Sequence, residues 1–327
     1  MVRALLLLSA WLVDALVGDP PRLPHPVRWM GSLIAWLERT LRPRFPATAQ
    51  GELWGGRILV LGTLTVAFVC IAIPLYIMKR VSFWLWFAVS ATFSGFLLAP
   101  RSLREESTRV ETALEAGDLI GARKALSWIV GRDTAELNEE AVARAAVETV
   151  AENASDGVIA PLLYLALFGP VGMALYKVVN TMDSMLGYHT PRYEHWGRAA
   201  ARLDDLANWI PARLSGALLC AAAPLVGLDG GHAWRVFLRD RLNHKSPNSA
   251  HTEAACAGAL GVQLGGPSRY FGAWVDKPTI GDALRPVEAA DIRRANALMT
   301  AGGLLCLLLC CAGSVFWNFF KDRWGIP

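Results

Sequence analysis

Four short stretches carry side chains able to do chemistry. AENASDGVIAPL, residues 151–162, gathers Glu152, Asn153 and Asp156 at the end of a helical pattern, and hard oxygen ligands at this spacing suit a magnesium ion shared with phosphate oxygens. VVNTMDSMLGY, residues 178–188, sets Asn180 and Asp183 three apart, hence on one helix face, with Lys177 a further three residues upstream. RAAARLDDLANWIPAR, residues 198–213, spaces Arg198 and Arg202 by four, repeats the spacing in Asp204 and Asn208, and flanks them with Asp205. An acidic helix face beside a basic one can hold magnesium through carboxylates and phosphate through guanidinium groups, which bind it bidentately. HKSPNSAHTEA, residues 244–254, supplies His244, Lys245, Ser246, Asn248 and Glu253; Lys245 suits phosphate as a point charge and His244 can carry a proton.

Each stretch also has a plainer reading. The first is equally a helix end capped by its own Asn and Asp, with Gly157 permitting a turn, and the third an intrahelical salt-bridge network. A lone histidine is more often structural than catalytic. The polar stripe of Lys177, Asn180 and Asp183 on an apolar segment is the hardest to explain as solvated surface. The glycine-rich GALGVQLGG, residues 258–266, lacks the lysine and serine of a nucleotide-binding P-loop.

The elements that must position these residues are membrane helices. Of 327 residues 54% are apolar and 18% charged, against about 45–50% and about 25% in soluble proteins. The uncharged or nearly uncharged runs Ile58–Met78, Ser82–Pro100 and Ala295–Phe320 each approach or exceed the roughly 20 residues that cross a hydrocarbon core. Residues 158–176 are also uncharged, but FGPVG at 168–172 breaks the run into halves too short to cross alone, so a broken or re-entrant pair is expected. Such a hairpin would return Glu152 and Asp183 to one polar chamber. Residues 214–228 make a full span only if the helix begins before Arg213. The expected fold is all-α: a polytopic integral membrane helical protein with broken or re-entrant helices around a polar cavity. It forms one catalytic domain over 1–327, with a polar helical insertion at 101–152 and a polar glycine-rich segment at 229–294.

Local signals refine this topology. MVRALLLLSAWLVDALVGD reads as an uncleaved first helix, because Asp14 interrupts the apolar run of a signal peptide. GDPPRLPHPVRWMG, residues 18–31, reads as an extended proline-rich turn displaying its charges. Asp118 and Asn138 are placed to cap helices, and Arg144, Glu148 and Glu152 fall on one face as a solvated ladder. Arginines clustered before the second span and after the third put those segments in the cytoplasm, and the chain in the cytoplasmic (inner) membrane as a multi-pass protein. The six cysteines form no CxxC pair and read as buried small hydrophobes. A net charge of +4 spread through the chain fits lipid headgroups and anionic substrates, not nucleic acid. Small-residue surfaces (Gly258, Gly261, Gly265; Gly302, Gly303) permit close helix contacts and with them a homodimer.

At these residues the chain resembles a known family, the cobalamin-biosynthesis membrane proteins that act as adenosylcobinamide-phosphate synthase (CobD/CbiB). The matching pieces are GDPPRLPHPVRWMG, ENASDGVIAPLLY, NTMDSMLGYHTPRY, WGRAAARLDDLANWIPARL and HKSPNSAHTEAACAGALGVQLGG, then YFG and KPTIG, in order from Gly18 to Gly281. The resemblance implies ATP-dependent ligation of a propionate of adenosylcobyric acid with aminopropanol or its O-phosphate, with ATP and magnesium as cofactors. It implies magnesium on a subset of Glu152, Asp156, Asp183, Asp204 and Asp205. Nucleotide or aminopropanol phosphate would rest on Arg198, Arg202, Arg213 and Lys245 with Asn180 beside them, and the corrinoid mouth would be lined by Arg22, His25 and Arg28. Asp183, Glu152 and His244 are the candidates for proton handling. The partners implied are these substrates, the lipid bilayer and other membrane enzymes of late cobalamin assembly.

Two other classes stay open on sequence. RLDDLAN resembles the aspartate-rich diphosphate motifs of membrane prenyltransferases, although Gly187 stands where a second acid would follow Asp183. A membrane sensor is the other, since a β-lactamase-induction membrane protein is a distant relative of the same superfamily.

Overall fold

The computed structural model describes residues 1–19, 25–188, 190–270 and 272–324, without the side chains of 318 and 321–324. The protein is almost entirely helical and multi-pass. Its helices are α1 (Val2–Val17), α2 (Pro26–Leu41), α3 (Ala49–Val81), α4 (Phe83–Gly95), α5 (Pro100–Glu115), α6 (Leu119–Leu126), α7 (Glu139–Asn153), α8 (Ala160–Leu186), α9 (Arg198–Ala207), α10 (Trp209–Ala222), α11 (Gly230–Asp240), α12 (Ser249–Leu260) and α13 (Ala290–Trp324). Five helical stretches are long and apolar enough to cross a membrane: Ala49–Val81, Phe83–Glu115, Glu139–Leu186, Trp209–Val226 and Ala290–Trp317. The three expected spans lie within α3, around α4 and within α13, and the fourth does begin before Arg213, at Trp209. Helices packed by tertiary contact divide the chain into two compact units, Met1–Leu98 with Pro161–Asn208 and Leu309–Pro327, and Ala99–Ala160 with Trp209–Leu308. Both polar segments, 101–152 and 229–294, belong to the second.

In the first unit, α3 starts where the Thr48 hydroxyl accepts from Gly51 N, and α4 where the Ser82 hydroxyl accepts from Leu85 N. The turn between them is thus the single residue Ser82, with Lys79 and Arg80 completing the last turn of α3. Helix α2 begins earlier than the proline-rich turn suggested. Pro26 is its first residue, where a missing N–H is harmless, and the His25 ring caps it by accepting from Val27 N. The extended reading therefore fails for residues 26–31, and Arg22 lies outside the described residues.

The apolar run of α8 is not one rod. Gly169 takes φ 73° and ψ −168°, a conformation open essentially to glycine alone, and Pro170 restarts the helix. Tyr164 and Tyr176 stand on either side of this break. On a straight helix, twelve residues span about 18 Å, yet their rings stack with centroids 4.6 Å apart. The chain therefore reverses at Gly169, giving the expected re-entrant pair. Arg3 of α1 donates to the carbonyls of Ala166 and Leu167, each at 2.8 Å, which are orphan acceptors at the end of the first limb. The basic residue that imitates a signal peptide is a cap on the reversal.

In the second unit, the Asp118 and Asn138 side chains cap α6 and α7 as expected, accepting from Gly121 N at 2.8 Å and Ala141 N at 2.9 Å. Helix α7 ends at Asn153, and the turn that Gly157 would permit does not form. Helix α7 instead runs into a six-residue π-helical segment, Ala154–Ile159, whose wider turn leaves the Gly157 carbonyl to accept from Ala99 N at 3.0 Å. Residues 264–280 form two antiparallel pairs, β1 (Leu264–Gly265) with β4 (Thr279–Ile280) and β2 (Ser268–Tyr270) with β3 (Ala273–Val275). The glycines offered as dimer surfaces are used inside this unit: a Cβ on Gly258 would lie 2.8 Å from Ala233 Cα, and one on Gly302 2.7 Å from Leu219. All described cysteines are free, and Cys70 alone is exposed, on α3.

Replacing Gly169 by Ala is expected to lower stability by about 1–3 kcal/mol, read as an earlier thermal transition in detergent. Gly62→Ala, whose Cβ meets nothing within 4 Å in the middle of α3, is expected to be neutral or slightly stabilising. Equal effects at the two positions would contradict the reversal.

Candidate functional site

In the second unit, the packed helices α7 and α12 carry three carboxylates within one another's electrostatic reach. Glu148 and Glu152 lie one helical turn apart on α7, and Glu253 comes from α12, whose residues are buried apart from the rim position Ser249. Glu148 is 5% exposed. It does not continue the expected ladder, because Arg144 pairs with Glu140 in the preceding turn. Instead Glu148 takes a short hydrogen bond from the Arg132 guanidinium and accepts from Gly265 N at 2.7 Å. Burial decides this: a carboxylate this deep needs a cation and several donors, which the solvated Arg144 does not supply. Arg132 also reaches Ser268 Oγ at 3.4 Å, so one ion pair ties α7 to the loop before it and to the β segments.

Glu152 sits on the rim, where the Ser249 hydroxyl donates to it at 3.1 Å. His244 lies near both glutamates of α7 and near Lys277. Burial pushes its pKa down, opposed by the charge of Glu152, so the ring is neutral at pH 7. Its Nδ1 accepts from Ser246 N at 3.0 Å, which leaves the proton on Nε2 and makes His244 a donor there. Burial, then the charges of Glu152 and Glu148, hold the Glu253 carboxyl well above the usual range, against the opposing fields of Lys277 and Arg132. Lys277 is itself engaged, donating to the Tyr270 hydroxyl at 2.7 Å and lying over its ring.

The ribbon that carries Gly265 and Lys277 is anchored to α11. Arg239 grips Asp240 through two hydrogen bonds, at 2.8 and 2.7 Å, and also pairs with Asp282. Asp240 accepts from Gly281 N at 2.8 Å, and His232 meets Asp282 at 3.1 Å. Hydrogen bonds from Arg239 hold the Asp240 carboxyl below its ordinary pKa.

The remaining predicted residues divide between the units. In the second, Asp156 lies in the π-helical segment, Lys245 is exposed, and Arg213 stacks on Trp209 at 4.5 Å while donating to the Trp209 carbonyl. Its charge and that of Arg241 add to burial in pushing the His251 pKa down. In the first unit, Asn180 and Asp183 share the second limb of α8, where Lys177 donates to Asn180 at 3.4 Å. The 187–197 loop that leads from them to α9 is clamped by Arg42, which lies over the Tyr193 and Trp196 rings, pairs with Glu38 and donates to the Arg192 carbonyl. On α9, Arg198 and Arg202 are exposed, Asp204 is 8% exposed, and Asp205 is half-buried with its pKa raised by that burial. The Asn208 amide donates to Asp204 at 3.0 Å and accepts from the Tyr176 hydroxyl at 2.8 Å. His25 holds Asp19 at 2.9 Å as well as its capping bond, and Arg28 is exposed on the first turn of α2.

Arg132, Lys277 and Tyr270 escaped the sequence reading. Arg132 stands in the ordinary-looking GRDT, and the other two are separated from α7 by more than a hundred residues. Glu152, His244 and Glu253 stood in stretches already marked as able to do chemistry.

These elements define an all-α, multi-pass membrane protein. The family model described as CobD/Cbib protein matches residues 7–299. The chain is 52% identical over 303 residues to the cobalamin biosynthesis protein CobD of Geobacter metallireducens, covering 92% of this chain and 94% of that relative. It is 49% identical over 307 residues to CobD of Yersinia enterocolitica, covering 92% and 96%, and 47% identical over 304 residues to the cobalamin biosynthesis protein CbiB of Salmonella typhimurium, covering 92% and 94%. The protein belongs to the CobD/CbiB family. No solved structure matches it.

The Asp240 anchor gives a pH signature. Its folded pKa lies below the ordinary value of about 4, so ionised Asp240 stabilises the fold above that pH, and the contribution disappears as pH falls through the lower folded pKa. Asp240→Asn is therefore expected to unfold at lower temperature than wild type at pH 7, with the difference shrinking below about pH 4. A gap that stays constant across this range would show that the anchor is not electrostatic.

Proposed function

We propose that the protein acts in cobalamin biosynthesis as an ATP- and magnesium-dependent ligase that joins a propionate of adenosylcobyric acid to aminopropanol or its O-phosphate, in the cytoplasmic membrane. Membership of a family whose relatives are named for cobalamin biosynthesis supports the pathway. The reaction class rests on one observation in the second unit: a rim carboxylate, Glu152, beside a neutral His244, backed by buried acids whose charge is balanced by Arg132 and Lys277.

A free carboxylate resists amide formation because it is anionic and has a poor leaving group. In the proposed sequence a propionate oxygen attacks the γ-phosphorus of ATP, the bond from that phosphorus to the bridging oxygen breaks, and ADP leaves. The amine nitrogen, its extra proton passed to Glu152, then attacks the acyl carbon, and inorganic phosphate departs with the electrons of the carbon–oxygen bond and takes up the second proton that the nitrogen loses. Glu152 serves as the base. His244 donates from Nε2 to a phosphate or carbonyl oxygen, and Lys245 offers an exposed ammonium to phosphate.

Among the described residues no group of three or more His, Cys, Asp or Glu could hold a metal ion. Magnesium is ordinarily carried by one or two carboxylates, with water and substrate phosphate completing the shell. On α9 of the first unit, Asp204, oriented by Asn208, and Asp205 are the carboxylates that would hold magnesium; the ion would supply neutralisation of phosphate charge.

Full-length protein in nanodiscs, given adenosylcobyric acid, aminopropanol phosphate, ATP and magnesium, is expected to yield amide and ADP together by mass spectrometry. Glu152→Gln is expected to lower kcat by about 10²- to 10⁴-fold, and Asp205→Asn to raise the magnesium concentration needed for half activity. Intact protein that forms no amide and consumes no ATP would overturn the ligase and favour a sensor.

A further inference from the structure

Two arginines of the second unit are held against aromatic rings and by no acid. Arg213, near the start of α10, stacks on Trp209 at 4.5 Å and donates to the Trp209 carbonyl at 2.6 Å. Arg241, exposed just past α11, lies over the Phe237 ring at 5.9 Å. Among the described residues neither is paired with a carboxylate, whereas Arg132, Arg239, Arg285 and Arg294 each hold one. Phe237 fixes where the two stand. Its ring packs so closely on α10 that a Cβ on Gly216 would lie 2.3 Å from it, and one on Gly230, at the other end of α11, would lie 3.3 Å from the Cys220 carbonyl. Helices α10 and α11 are therefore antiparallel, and Arg213, one turn before Gly216, is at the same end of the pair as Arg241. The His251 ring closes the group, edge-on to Phe237 with centroids 6.0 Å apart. It is 1% exposed, and its Nδ1 has no hydrogen-bond partner among the described residues. Burial and the charges of Arg213 and Arg241 push its pKa down, so the ring is neutral and the arginines supply the positive charge. Two neighbouring guanidinium groups without an acid repel, and an anion with several oxygens relieves this through paired hydrogen bonds to each.

The surroundings select the kind of anion. Trp209 opens the span Trp209–Val226, and a tryptophan beside arginine at the end of a span is typical of the level of lipid headgroups. From Arg241 back along α11, Leu238 and Trp234 are 57% and 39% exposed and four residues apart on one face, with Trp234 about 10 Å from Arg241 along the axis. A soluble phosphate gains nothing from this apolar stripe, while a lipid uses both parts. We propose that Arg213 and Arg241 form a site for the phosphate of an anionic phospholipid, whose acyl chain runs along Leu238 and Trp234. Arg213 thus serves a lipid, not the nucleotide or aminopropanol phosphate that the sequence suggested.

The test uses full-length protein, stripped of lipid in an uncharged detergent and titrated with phosphatidylglycerol by native mass spectrometry. Phosphatidylcholine is the lipid without net charge, and ATP and glycerol 3-phosphate are the soluble phosphates. Wild type is expected to prefer phosphatidylglycerol, and the double variant Arg213→Gln, Arg241→Gln to bind it about ten- to a hundredfold more weakly, with lysine at both positions recovering part of the loss. Arg241→Gln alone, at an exposed side chain, is expected to match the wild-type thermal transition and to lose about fivefold. Arg235→Gln, exposed on another face of α11 in the field of Asp229, is expected to bind as wild type does. Equal binding of the two lipids, or a folded double variant that keeps wild-type affinity, overturns the proposal. So does an Arg235→Gln loss as large as that of Arg241→Gln, which would show a diffuse field in place of a site. Soluble phosphate that binds as tightly as the lipid and displaces it would overturn it too, and return Arg213 to a substrate.

Discussion

A single carboxylate organises the second unit. Glu148 is buried within a helix that belongs to a membrane protein, and a charge in that position is stable only when a cation and further donors meet it. Arg132 from the preceding loop and the backbone of Gly265 from the β ribbon do so. Removing one partner from such a pair typically costs about 3–5 kcal/mol, because the other charge is left without solvent or partner. The consequence is geometric: the loop, α7 and the ribbon cannot shift independently. Lys277 on the ribbon and Glu152 one turn along α7 inherit fixed positions from an interaction in which neither takes part.

The two departures from regular helix serve the same end by different means. The π-helical segment at Ala154–Ile159 comes directly after Glu152 and Asn153, and its wider turn leaves the Gly157 carbonyl to accept from Ala99 N, just before α5. At Gly169 the chain reverses altogether, which a membrane allows only where the freed backbone groups find partners. Arg3 provides two of them. The tyrosine pair closes the hairpin and, through Tyr176 and Asn208, fixes the orientation of Asp204. In the first unit a polar relay thus depends on a glycine that carries no chemistry.

The features legible in the sequence were those that depend on local pattern. Apolar runs gave the spans, FGPVG gave the break, and Asp118 and Asn138 gave helix starts, because each depends on a few adjacent residues. Pro26 misled, since a proline that ends extended structure and one that opens a helix look alike until the cap at His25 is seen. Gly157 left the local path open, because a glycine permits a turn without requiring one. Glu148 misled for a different reason. Its spacing from Arg144 is that of a solvated ladder, and only burial, a property of the whole fold, turns the carboxylate inward to Arg132. The same limit hid Lys277 and Tyr270, whose place beside α7 is set by pairing of β1 with β4 rather than by any local signal.

The residues that do chemistry and the residues that hold them in place obey different rules of charge. Asp240, Asp282 and Arg239, like Arg285 with Asp291, form closed sets in which every acid has its cation at hydrogen-bond distance. Such sets are strong and inert, since nothing is gained by adding a ligand to them. Around His244 the arrangement is different: burial holds the histidine uncharged and, with the charges of Glu152 and Glu148, holds the Glu253 carboxyl above its usual range. Perturbed groups of this kind mark a candidate functional site more readily than closed ion pairs do. The contrast, more than the identity of any one residue, separates the candidate site from the ion pairs that merely brace it.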